Sequence, residues 1–93
     1  MVLASGIEIF SETEWSELTH GLSLSPRQAD IVRLLLFGLS DKQIARQLHI
    51  GRPTVRTHLS RLFSKFGVQD RTELILYVFG CFRTNSRANG NLS

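Results

Sequence analysis

Apolar residues along this chain recur at helical spacing, and polar capping signals divide them into five segments. Ser11 stands before Glu12 and has Glu14 three positions on, a capping box, with Phe10 and Trp15 at the positions of a hydrophobic staple. This predicts a short helix from Glu12 to about Thr19. Ser25 and Gln28 repeat the box with Pro26 in the first turn, and Gly38 offers a left-handed stop after the run Ile31 to Phe37. Ser40 and Gln43 form a third box, stapled by Leu39 and Ile44, and open a short helix that reaches Leu48.

After a break at His49, Ile50 and Gly51, Pro53 fits a first helical turn, where backbone N–H groups have no intrahelical acceptor to lose. Val55, Leu59, Leu62 and Phe66 then fall on one side of a fourth helix ended by Gly67. Arg56, Thr57, Ser60, Arg61 and Ser64 take the other side. Asp70 with Glu73 caps a last helix from Arg71 to about Phe82. No window of alternating apolar and polar residues competes, so the chain reads as all-α.

The chain has 93 residues, 42% hydrophobic and 20% charged, which suits one small folded domain and excludes a second large one. A domain of this size buries only about 60% of the surface its unfolded chain exposes, so its stability is expected to be marginal or to lean on a partner subunit. Cys81 stands alone, leaving no intramolecular disulfide to form and fitting a reducing cytoplasm. The run Leu74 to Phe82 is about half as long as a bilayer span requires. No basic and then apolar run at the N-terminus marks an export signal.

Charge is sorted along the chain. Residues 1–20 contain Glu8, Glu12, Glu14 and Glu17 with no Lys or Arg. Lys42 to Lys65 contains Lys42, Arg46, Arg52, Arg56, Arg61 and Lys65 with no acid. Such a stripe is either a solvated face or a surface for a polyanion. Its placement favours the polyanion: two short helices joined by a tight turn, the second basic on its outer face, are what a major groove about 12 Å wide admits. Ile44, Leu48, Ile50 and Val55 supply the apolar contacts of such a helix-turn-helix, and Ala45 allows close crossing. A plain helical hairpin would want the same apolar residues, but not the acid-free outer face.

From Leu24 to about Val78 the sequence resembles the DNA-binding domain of the LuxR, FixJ and NarL family of bacterial transcription regulators. The resemblance rests on Leu24-Ser-Pro-Arg27, Gly38-Leu-Ser-Asp-Lys-Gln-Ile-Ala-Arg-Gln-Leu48, Thr54-Val-Arg-Thr-His-Leu59, Phe66-Gly-Val68 and Arg71-Thr-Glu73, in that order. It implies a four-helix helix-turn-helix domain, here with an extra short N-terminal helix. It also implies a recognition helix of about residues 52–66 in the major groove, and dimerisation largely through the last helix. Base contacts would fall to Arg56, Thr57 and Ser60, with Arg61 beside them. Phosphate contacts would fall to Lys42, Arg52, Thr54, His58 and Lys65. Leu76 and Tyr77 are the expected dimer contacts, since Leu74, Ile75 and Val78 are wanted by the core.

Three positions depart from the family pattern. Gln28 replaces the usual Glu, which removes any salt bridge that Glu would make to an arginine such as Arg71. Thr57 stands where Val is common, and offers a methyl group or a hydrogen-bond donor to a base. Gly51 stands where Ser or Thr often caps.

The expected organisation is an acidic N-terminal segment with a short helix over residues 1–23, a DNA-binding domain over 24–82 and a disordered polar tail over 83–93. The acidic helix could dock on the last helix, cover the basic stripe, or end a linker from a sensory domain; Trp15, Leu18 and Leu22 favour docking. His20, His49, His58 and Cys81 lack zinc-ligand spacing, and no phosphate loop, nucleophile elbow or paired carboxylates occur. The reading is a non-enzymatic, cofactor-free, cytoplasmic regulator of transcription that binds double-stranded DNA as a homodimer. The alternative is a protein-interaction module related to sigma-factor region four, acting mainly on RNA polymerase.

Overall fold

The computed structural model describes residues 11–90, with side chains placed through Thr84. The described chain is all helical: α1 (Glu12–Gly21), α2 (Pro26–Leu36), α3 (Asp41–Leu48), α4 (Arg52–Phe66) and α5 (Arg71–Gly90). The three expected serine boxes form in full. At α1 the Glu14 N–H donates to Ser11 Oγ at 3.0 Å, and the Ser11 N–H to Glu14 Oε1 at 2.8 Å. Ser25 with Gln28 and Ser40 with Gln43 do the same for α2 and α3. At α5 the Glu73 N–H donates to Asp70 Oδ1 at 2.9 Å, but the Glu73 carboxylate accepts from Gln69, one residue earlier than in a regular box. Phe10, the expected staple partner of Trp15, lies outside the described residues.

The first four helices end alike. Each is followed by a residue in left-handed conformation, Ser23, Gly38, His49 and Gly67 in turn, with φ of 55°, 85°, 58° and 67°. The next residue's N–H reaches back five positions to a carbonyl of the last turn: Leu24 to Thr19, Leu39 to Leu34, Ile50 to Ala45 and Val68 to Phe63, at 2.9–3.2 Å. This is the Schellman pattern, which satisfies carbonyls the helix leaves open. Leu24, Leu39, Ile50 and Val68 all pack against the core, so each stop also steers the chain inward.

The core draws on every helix: Trp15 and Leu18 of α1, Ile31, Val32 and Leu35 of α2, Ile44 and Ala45 of α3, Val55, Leu59 and Leu62 of α4, and Leu74 and Val78 of α5. Burying each Leu or Ile side chain contributes about 1.5–3 kcal/mol, the main term favouring the fold. α4 lies in the middle, against α2, α3 and α5, while α1 packs on α5. The acidic helix therefore docks as its apolar residues suggest, and Glu12 adds an ion pair to Arg33 of α2 at 3.2 Å.

α5 runs eight residues past the expected end at Phe82, so residues 83–90 of the expected disordered tail are helical. No proline interrupts the stretch. Once packing has nucleated a helix, each added residue gains a hydrogen bond without a new nucleation cost.

Candidate nucleic-acid interface

α3 and α4 form the helix-turn-helix. Ile44 and Val55 are fully buried between them and Ala45 is nearly so, while the left-handed His49 turns the chain within three residues. Gly51 starts α4 without any side-chain cap, as its lack of a hydroxyl implies. With Val55, Leu59 and Leu62 turned inward, the opposite side of α4 faces solvent and carries no acid along its whole length.

All four expected base contacts, Arg56, Thr57, Ser60 and Arg61, are exposed. So are Lys42, Arg52, Thr54 and Lys65 of the expected phosphate contacts. Lys42, Arg52 and Arg61 make no ion pair among the described residues. His58 differs: it is half-buried, and its Nδ1 is shut from solvent with no hydrogen-bond partner in the described structure.

Three of these side chains are engaged within the fold. Thr57 Oγ1 donates to the Pro53 carbonyl at 3.0 Å, which commits its proton and leaves its methyl group and lone pairs open. Lys65 Nζ donates to the Ser23 carbonyl at 2.6 Å. Arg56 Nε lies 3.8 Å from Asp41 Oδ2.

Asp41 is the residue sequence reading missed. It stands one position before the acid-free stretch and belongs to the same surface. Its other oxygen, Oδ1, pairs with Arg71 Nη2, and Arg71 Nη1 donates to the Leu39 carbonyl at 3.1 Å. Arg71 is thus not left without an acidic partner by Gln28; Asp41 takes that place. No local pattern could have shown this, because Asp41 and Arg71 are separated by a helix-turn-helix and the following loop.

On α5, Leu76 is 65% exposed. Tyr77 is less available than expected, at 37%, because its ring stacks on Phe66 with centroids 4.7 Å apart. A hydrogen bond with Cys81, one turn on, and partial burial push the Tyr77 phenol above its ordinary value of 10.0. Tyr77, Gly80, Cys81 and Thr84 face Leu18, Gly21 and Leu22 across a shallow apolar groove between α5 and α1.

No described helix is long and apolar enough to cross a membrane. Among known proteins, the chain is 43% identical over 53 residues to the "Putative HTH-type transcriptional regulator Rv0890c" of Mycobacterium tuberculosis, a match covering 57% of this chain and 6% of that protein. It is 43% identical over 56 residues to the "Response regulator protein VraR" of Staphylococcus aureus, covering 60% of this chain and 27% of VraR. The chain thus spans a small part of these relatives' lengths. No solved structure gives a significant match. The family described as "Bacterial regulatory proteins, luxR family" (GerE) matches residues 22–78, from the stop of α1 to the last core residue of α5. With more than half of its length inside that match, and the expected helix-turn-helix at the centre of its fold, the chain belongs to the luxR family of bacterial regulatory proteins.

Proposed function

We propose that this protein is a sequence-specific, DNA-binding regulator of transcription that lays α4 in the major groove and acts in the cytoplasm as a two-fold dimer through α5. The observation that carries the reading is the outer face of α4. Arg56, Thr57, Ser60 and Arg61 stand exposed and free of acid on the helix itself, held by a buried stripe whose rotation leaves no choice of side. Arg56 would fork to a guanine edge, Thr57 would touch a thymine methyl, and Ser60 and Arg61 would contact neighbouring bases. Lys42, Arg52, Thr54, His58 and Lys65 would hold the backbone, His58 through Nε2 because its Nδ1 is enclosed.

Two copies joined at Leu76 and its surroundings on α5 would set two α4 helices about 34 Å apart, in successive major grooves about ten base pairs apart. A gel-shift with competitor DNA, repeated over a salt series, tests the reading. Four to six phosphate contacts per subunit correspond to a log–log slope of roughly −4 to −5 per subunit. An affinity that hardly moves between low and moderate salt would remove nucleic acid as the partner. Retention on RNA polymerase without DNA binding would support the interaction-module alternative instead.

A further inference from the structure

We propose that Asp41 is a positioning residue for base recognition: anchored by Arg71, its carboxylate holds the Nε edge of Arg56 and so presents that guanidinium's terminal edge to the groove. This rests on the assignment of Arg56 as a base reader and adds the residue that aims it.

The geometry runs through three elements. Arg71, at the start of α5, is fastened to the Leu39 carbonyl at 3.1 Å by one terminal nitrogen and to Asp41 Oδ1 by the other. Asp41, the first residue of α3, is the better shielded partner, its side chain 23% exposed against 62% for Arg56. Its remaining oxygen, Oδ2, lies 3.8 Å from Arg56 Nε. The carboxylate is therefore fixed from the α5 side before Arg56 meets it. Arg56 Nη1 and Nη2 remain for a base, and two parallel N–H groups on one edge are what guanine O6 and N7 accept.

An exposed ion pair of this length contributes little to stability, so a structural role alone is a weak account of it. Its larger effect is on recognition. A free arginine loses rotamer entropy when it docks, and holding it beforehand avoids a loss equivalent to roughly 2- to 12-fold in affinity. A fixed carboxylate beside α4 also repels phosphate oxygens. Asp41 thus favours a guanine edge over a backbone phosphate at Arg56, which raises discrimination rather than overall affinity.

The test measures binding of the whole chain to a site selected from random DNA and to its scrambled counterpart, for wild type, Asp41→Asn, Arg56→Ala and the double variant. Arg56→Ala is expected to lower the selected-to-scrambled ratio about 5- to 150-fold. Asp41→Asn is expected to lower the ratio about 2- to 12-fold without weakening binding to scrambled DNA. The double variant should match Arg56→Ala alone. If Arg56→Ala weakens both DNAs equally, base reading by Arg56 fails and the positioning role with it. If Arg56→Ala behaves as expected but Asp41→Asn leaves the ratio unchanged, or adds in full to it, only the role of Asp41 is overturned. A measurement on free wild-type protein is independent of how the variants fold: ¹⁵N relaxation should show Arg56 Nε–H more ordered than those of Arg52 and Arg61. Equal order would overturn the proposal.

Discussion

Lys65 Nζ donates to the Ser23 carbonyl at 2.6 Å, tying the far end of α4 to the turn between α1 and α2. The same ammonium sits 5.7 Å above the Phe66 ring. Ser23 is in left-handed conformation, so the bond reinforces a stop that has no glycine to ease it. One cation therefore serves the fold and, in the proposed function, the DNA backbone. Lys65→Ala is expected to weaken selected and scrambled DNA by similar factors and to reduce the salt slope by about one. It should also lower stability by about 0.5–1 kcal/mol in urea denaturation. Unchanged stability would show that the tether contributes nothing; a changed preference between the two DNAs would mean Lys65 is no plain phosphate clamp.

The two candidate dimer contacts on α5 should respond differently. Leu76 is largely exposed, so Leu76→Glu is expected to keep helicity and stability near wild type while abolishing dimers on DNA in sedimentation. Tyr77→Glu removes a ring stacked on Phe66 and should lower stability as well, by about 1 kcal/mol. Dimers persisting with Leu76→Glu would move the interface elsewhere.

His49 occupies a left-handed position that costs an ordinary residue about 1–2 kcal/mol. His49→Gly relieves that cost but frees the unfolded chain, leaving an expected net gain of about 0.5 kcal/mol. His49→Val, branched at Cβ, is expected to lose about 1 kcal/mol or more. Thermal denaturation of the three proteins gives the order; valine at least as stable as histidine would contradict the turn geometry.

Tyr77 is the chain's single tyrosine, so absorbance near 295 nm reports it alone. Its ionisation midpoint is expected above 10, and Cys81→Ala should bring it back toward that value. The sign for stability follows. Between the unfolded value and the higher folded one, the unfolded chain binds fewer protons, so Tyr77's contribution is intact below pH 10 and declines as pH rises through the folded value. Tyr77→Phe should remove that share of the decline. A midpoint at or below 10 in the folded protein would exclude the bond to Cys81.

Local chemistry was legible in the sequence by itself. The boxes at Ser11, Ser25 and Ser40 each span three positions, the stops at Gly38 and Gly67 follow from one residue's backbone freedom, and the stripe Val55, Leu59, Leu62 orients α4 without knowledge of its neighbours. These settle five helices, the helix-turn-helix and the face it turns outward. The break at His49 was legible, but the left-handed conformation of Ser23 and His49 was hidden, because serine and histidine adopt it only where packing of Leu24 and Ile50 offsets the cost. The length of α5 was hidden too, since polar residues of middling helix propensity are decided by what precedes them. Above all, the pairings of Asp41 with Arg56 and Arg71, of Lys65 with Ser23 and of Tyr77 with Phe66 were tertiary decisions. Each joins groups far apart in the chain, and only the way the helices cross over a shared core determines which charges, carbonyls and rings meet.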